Sequence, residues 1–258
     1  MTTLLNYQRG GAGATVILIH GLFGAMDNLN HLAKALQEKC DVIQVDVRNH
    51  GDSFHHHSME YDDLANDVFH LMDHLNIEQC HFVGHSMGGK IAMQCALTQP
   101  NRCKSLVVAD IAPVAYPPHH NQIIAGLKAI NVESIRQRRD ADKILAEYEP
   151  TLGVRQFLLK NLVKSEHGYQ WRASIDNIAD SYLHITKPVR QDCQYSGPVL
   201  FIKGENSDYI VNEYRAAIGK LFPNAKARVI KDTGHWLHAE KPLEFNRVVE
   251  HFIEKNDV

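Results

Sequence analysis

The sequence holds no apolar run long enough to cross a bilayer, a span that takes about 20 residues as a helix. It also holds no internal repeat and no low-complexity tract. Charge of one sign is lacking: 27 Lys and Arg stand against 30 Asp and Glu, a formal charge of -3. A nucleic-acid binder normally carries a basic surplus or stripe, so nucleic acid is not an expected partner. The one basic cluster, Arg136, Arg138, Arg139 and Lys143, is interleaved with Glu133, Asp140 and Asp142 and reads as a solvated helix face. Cysteine is scarce, and its number, five, is odd, with irregular spacing and no C-x-x-C. That argues against a disulfide framework or a zinc site and points to reduced thiols in the cytoplasm. The first ten residues lack a charged n-region and an apolar h-region, so neither a signal peptide nor a membrane partner is expected.

What is present suits one globular domain. Of the 258 residues, 44% are hydrophobic and 22% charged, enough apolar material for a core and too much for a disordered chain. Short apolar runs alternate with amphipathic helical patterns. Val16 to Ile19, Val42 to Val45, His81 to Val83 and Ser105 to Ala109 read as strands. Helices are expected from Asp27 or Asn28 to about Lys39, from Tyr61 to Leu75, and after Gly88 to about Thr98. This rhythm implies a mostly parallel sheet with helices on both faces, whose ligand sites lie beyond the carboxyl ends of the strands.

The rhythm breaks from about Ala115 to Tyr195, where helical patterns appear without a convincing buried strand. It returns with Pro198 to Ile202, a helix from Asn212 to Leu221, a strand from Ala227 to Ile230 and a helix from Pro242 to Lys255. Sheet connections are usually short, so an insertion of about 80 residues reads as a cap or lid. The expected division is a core of 1–114 with 196–258 and a helical cap of 115–195. Phe157, Trp171 and Tyr182 of the cap are expected to line an acyl pocket or to pack the cap onto the sheet.

Gly84-x-Ser86-x-Gly88 falls between a strand and a helix. A serine on such a tight turn occupies a strained backbone position, and flanking glycines leave room for neighbouring backbone. The Met87 N–H, at the helix start, faces charge developing on a bound acyl oxygen. Gly84 to Lys90 also spells a near-miss to a phosphate loop, but Ile91 stands where that loop needs a hydroxyl for magnesium. A nucleophilic serine needs a base and the base an orienting acid. His235, in the loop after the last strand, is the expected base, with His238 as rival. Asp208, Asp110 and Glu205 are the candidate acids. The Leu22 N–H, or that of Phe23, in the Gly-rich His20 to Gly24 loop is the second candidate oxyanion donor. His55 to His57 and His119-His120 lack further ligands at helical spacing and read as surface loop rather than metal sites.

In order, His20-Gly21, Asp46-x-Arg48-x-x-Gly51-x-Ser53, Gly84-x-Ser86-x-Gly88 and Gly234-His235 resemble the α/β-hydrolase superfamily. Longer strings resemble its YbfF-type esterases: Gly84 to Lys90, Asp110-Ile111-Ala112-Pro113, Trp171-Arg172 and Gly234-His235-Trp236-x-His238. The resemblance covers nearly the whole chain, cap included. It implies an α/β-hydrolase fold and a serine esterase acting on short- to medium-chain acyl esters or thioesters, acyl-CoA among them. It needs no metal or organic cofactor, and its partner is the small-molecule substrate. It also bears on the acid. Asn206-Ser207 match the family pattern and Asp208 falls on a variable place, while Asp110 is part of the pattern. The resemblance therefore implies Asp110, with Asp208 second. Other chemistries on the same residues are carbon–carbon hydrolysis, a lyase step or perhydrolysis, and a non-catalytic small-molecule sensor is a further reading. No pattern in the sequence fixes an oligomeric state.

Overall fold

The β-branched runs build the middle of one sheet. A computed structural model describes residues 3–166 and 168–257. Residues 1, 2, 167 and 258 lie outside it, among them the outer ends of the expected core segments and one position of the expected cap. The chain begins with β1 (Tyr7–Gly10), β2 (Ala14–Ile19), α1 (Asn30–Leu36), β3 (Cys40–Val45) and α2 (Tyr61–His74). It continues with β4 (Cys80–His85), α3 (Met87–Thr98) and β5 (Cys103–Ala109). Then come α4 (Asn121–Ala129), α5 (Arg138–Leu145), α6 (Leu152–Leu158), β6 (Leu162–Ser165), β7 (Gly168–Trp171), α7 (Ile175–Asp180) and α8 (Tyr182–Thr186). The order is completed by β8 (Val199–Gly204), α9 (Arg215–Leu221), β9 (Ala225–Ile230), α10 (Leu237–Glu240) and α11 (Pro242–Asn256).

Seven strands form the sheet in the order β1-β3-β2-β4-β5-β8-β9. All neighbours are parallel except β1, which runs antiparallel along β3. Successive side chains of a strand point to opposite faces, and in the central strands both faces are dry. Val16 and Leu18 pack with Leu32, Leu36, Phe245 and Val249 of α1 and α11. Ile17 and Ile19 pack with Leu64, Val68, Ile91 and Ala92 of α2 and α3. Nearly every side chain of α3 is buried, which its small residues permit: a Cβ on Gly89 would sit 2.7 Å from the Ile111 side chain.

Three local expectations change. The first helix is preceded by a 3-10 turn, Met26–Leu29, and stops at Leu36. The Asn28 side chain accepts from the Ala25 N–H and so caps this turn from inside it. Strand β1 carries no apolar run; it is held at the edge by the Arg9–Asp41 pair at 2.8 Å. The segment between β5 and β8 is helical, but it also contains the hairpin β6–β7. Of that hairpin's described residues only Leu162 is buried, so its strands leave no core-like run in the sequence. Among the described residues no helix is long and apolar enough to cross a membrane.

Strand register sets up the site. His85 of β4 pairs with Ala109 of β5, and Ala109 with Ile202 of β8. The next residues, Ser86 and Asp110, therefore leave the same end of the sheet side by side. The Ser86 N–H donates to Ala109 O at 2.9 Å and the Asp110 N–H to Ile202 O at 2.8 Å.

Candidate active site

Ser86 caps α3 with φ 54° and ψ -122°, a backbone region that costs on the order of 1–3 kcal/mol for a non-glycine residue. The two glycines of the motif are required by space. A Cβ on Gly84 would stand 2.1 Å from Gly88 O, and one on Gly88 would stand 2.2 Å from Ile19 O. The turn is fixed by the Gly89 N–H donating to Ser86 O at 2.8 Å.

Three side chains meet beyond the strand ends. His235 Nε2 lies 2.9 Å from Ser86 Oγ, and His235 Nδ1 lies 2.8 Å from Asp110 Oδ2. Asp110 is wholly buried and also has a positive φ, 53°. Its carboxylate accepts from the Gly204 N–H at 3.0 Å and from the Ser207 hydroxyl. A carboxylate so held accepts the Nδ1–H of His235, which leaves Nε2 as the acceptor facing the serine hydroxyl. The ring of Tyr209 stacks on that of His235 at 4.0 Å.

The other candidates stand apart. Asp208 is exposed and takes no part in this network among the described residues. Glu205 is exposed and accepts the Asp232 N–H. His238 is buried behind the site, its ring 4.3 Å from that of His85. Burial pushes the His238 pKa down to about 4. His85 in turn donates from Nε2 to His235 O at 2.8 Å and so braces the histidine loop.

Of the two candidate N–H groups in the His20 to Gly24 loop, that of Phe23 is already used. It donates to His50 Nε2 at 3.0 Å, while His50 Nδ1 donates to Arg48 O at 2.9 Å. Burial lowers the His50 pKa to about 3 and keeps the ring neutral for both roles. The Phe23 carbonyl accepts from Asn161 Nδ2 at 2.7 Å. Among the described residues nothing accepts from the N–H groups of Leu22 or Met87, and both residues border the cavity at Ser86. Two free donors beside a serine with a histidine base suit a tetrahedral oxyanion.

Ser207, Tyr209, His85, His50 and Asn161 are the participants that reasoning from residue type does not single out. Their only sequence signal is the family pattern, whose strings include His50, His85, Ser207 and Tyr209 but assign none of them a role; Asn161 lies in none of the strings. Among the described residues no three or more His, Cys, Asp or Glu side chains group to hold a metal ion. Lys90, the lysine of the phosphate-loop near-miss, is buried and donates to Lys187 O at 2.6 Å.

A family model for the alpha/beta hydrolase fold matches residues 14–242. The chain is 39% identical over 246 residues to the sn-1-specific diacylglycerol lipase ABHD11 of Mus musculus, covering 92% of this chain and 80% of that protein. It is 38% identical over 239 residues to esterase YbfF of Escherichia coli, covering 92% of each. A solved marine microorganism esterase is 36% identical and superposes with a TM-score of 0.94, over 97% of this chain and 100% of that one.

Proposed function

The chain belongs to the α/β-hydrolase fold family as a carboxylic-ester hydrolase of the YbfF type, and we propose that it works through Ser86, His235 and Asp110. The observation that carries this reading is the unbroken hydrogen-bond chain from Ser86 Oγ through the imidazole to a buried carboxylate. Its substrates are short- to medium-chain acyl esters or thioesters, acyl-CoA among them. Residues 115–195 act as the cap and 1–114 with 196–258 as the core. Five free thiols fit a reducing compartment such as the cytoplasm.

The steps follow from the geometry. Ser86 Oγ bonds to the acyl carbon as its proton passes to His235 Nε2. The carbonyl oxygen becomes an oxyanion held by the N–H groups of Leu22 and Met87; losing one such donor typically costs about 10²–10³ in rate. The bond to the alkoxy oxygen breaks, and that oxygen leaves with the proton from Nε2. Water then attacks the acyl carbon and gives a proton to the same nitrogen; the bond to Ser86 Oγ breaks, Oγ takes the proton back from Nε2, and the acid is released with the enzyme restored. Asp110 holds the imidazole in the needed tautomer and stabilises the imidazolium.

The test is covalent labelling joined to kinetics. A phosphonate ester should add one group to the wild-type chain at Ser86 and none to Ser86→Ala, and Ser86→Ala should lose several orders of magnitude in kcat/KM on a chromogenic ester while remaining folded. His235→Ala should cost about as much, with little added in the double variant, because such residues act as a unit. Ser86→Ala within about tenfold of wild type would remove this mechanism.

A further inference from the structure

Two cavities meet at Ser86, and His235 lines only one of them. The smaller, about 50 Å³, is bounded by Met87, Ile111, Ile185, Tyr61, Tyr116 and Lys90. The larger, about 240 Å³, is bounded by His235, Trp236, Phe157, Val154 and Leu158. Leu22, His120 and Tyr209 border both.

The proton path orients the substrate between them. The group that protonates the departing oxygen must come within about 2.6–3.2 Å of it, so that oxygen leaves on the His235 side. Whatever it carries extends into the cavity that His235 lines. The acyl chain, on the other bond of the same carbon, is left with the cavity past Met87. With the Ser86 reading above as premise, we propose that this enzyme selects small acyl groups joined to large apolar alcohols or thiols, with the smaller cavity as acyl pocket and the larger as leaving-group pocket.

Volume and a buried amine both limit the acyl side. A water-sized group needs roughly 10–15 Å³ of such space, so about 50 Å³ accommodates an acyl chain of about two to four carbons. Lys90 lies four residues after Ser86 in α3, on the same helix face one turn further on. Its ammonium donates to Lys187 O and lies 4.9 Å from the centre of the Tyr116 ring. Burial lowers the Lys90 pKa to about 7, yet charged or neutral its Nζ keeps the bond to Lys187 O; a longer acyl chain would have to strip this buried amine of its partner, an unfavourable exchange. The larger cavity carries no such stop. The rings of Phe157 and Trp236 lie 5.8 Å apart along it, apolar walls for an alkyl or aryl alcohol. Of the residues expected from the sequence to line an acyl pocket or to pack the cap onto the sheet, Tyr182 borders the acyl cavity, Phe157 belongs to the alcohol side, and Trp171 lines neither cavity.

Hexyl acetate and ethyl hexanoate are isomers with similar intrinsic reactivity, and they place the long chain on opposite sides of the ester. Their kcat/KM values on the full chain, followed by acid release, test the assignment. One methylene in an apolar pocket is worth about 10–200-fold, so hexyl acetate should exceed ethyl hexanoate by about tenfold or more. Phe157→Ala should lower the ratio of hexyl to ethyl acetate, and Lys90→Met should raise the ratio of ethyl hexanoate to ethyl acetate. Equal rates, or a preference for ethyl hexanoate, with both activities lost in Ser86→Ala, would overturn the pocket assignment and leave the esterase reading standing. Hydrolysis of either ester that survives Ser86→Ala undiminished, or no hydrolysis of any ester in the wild type, would overturn both.

Discussion

Asp110 and Asp208 differ at the residue scale in what surrounds their carboxylates. Both follow sheet strands, so the spacing that makes Ser86 stand out cannot choose between them. The distinguishing features are three-dimensional: the positive φ of Asp110, the Gly204 N–H and Ser207 hydroxyl that converge on it, and its complete burial. The preference for Asp110 comes from a family pattern, whereas the strand-turn-helix setting of Ser86 is legible from residue types alone. Replacing an orienting Asp by Asn keeps the shape and spoils the tautomer, a change that can cost about 10⁴ in kcat. Asp110→Asn should approach that loss, and Asp208→Asn should stay within about tenfold of wild type, a gap of several kcal/mol in barrier. The measurement is kcat on one activated ester, with circular dichroism to confirm folding. A crippled Asp208→Asn beside an active Asp110→Asn would refute the assignment.

At the scale of elements, runs that are buried on both faces announce themselves, while half-exposed ones do so unevenly: β9 reads as a strand although four of its six residues are exposed, and others leave no such pattern. Strands β2 to β5 and β8 are rich in Val, Ile, Leu and Phe, and their order with the helices reads directly from the sequence. Strand β1 and the hairpin β6–β7 are short and half-exposed, and their stability comes from neighbours distant in sequence. The link between the segment after β5 and the His20 to Gly24 loop is invisible for the same reason. Asn161, in the 3-10 turn before β6, donates to Phe23 O across 138 residues. The N–H of the same residue donates to His50 Nε2, so both peptides flanking Phe23 are held. Asn161→Ala would leave a buried carbonyl without this donor, at a cost of about 1–3 kcal/mol. Because the Leu22 N–H precedes the held peptides, the loosening should appear in the transition state. We expect kcat to fall by about tenfold with KM nearly unchanged, the signature of an interaction made only there. A rise in KM at constant kcat would place Asn161 in ground-state binding instead.

The whole molecule carries 17 histidines, and several are buried in neutral form. Burial lowers His50 to about 3 and His120 and His238 to about 4, and pushes His20 and His85 down as well. In the unfolded chain each would titrate near 6.5. Between pH 6.5 and about 4 the unfolded state therefore binds more protons than the folded one, and stability rises with pH across that window. On acidification the loss begins near 6.5, and each such histidine adds a slope approaching 1.4 kcal/mol per pH unit, roughly, once its unfolded form is protonated. Above 6.5 the unfolded rings are neutral too, and their contribution to the pH dependence ends. Most carboxylates titrate near 4, so a decline that starts above pH 5 belongs to the histidines. Urea unfolding at pH 7, 6 and 5 should show a midpoint that falls with each step. His238→Gln should flatten the decline between pH 6 and 5, since a neutral side chain removes one proton from the difference between the two states. A midpoint that stays constant from pH 7 to 5 would mean that the buried rings open to solvent or take up protons in the folded protein.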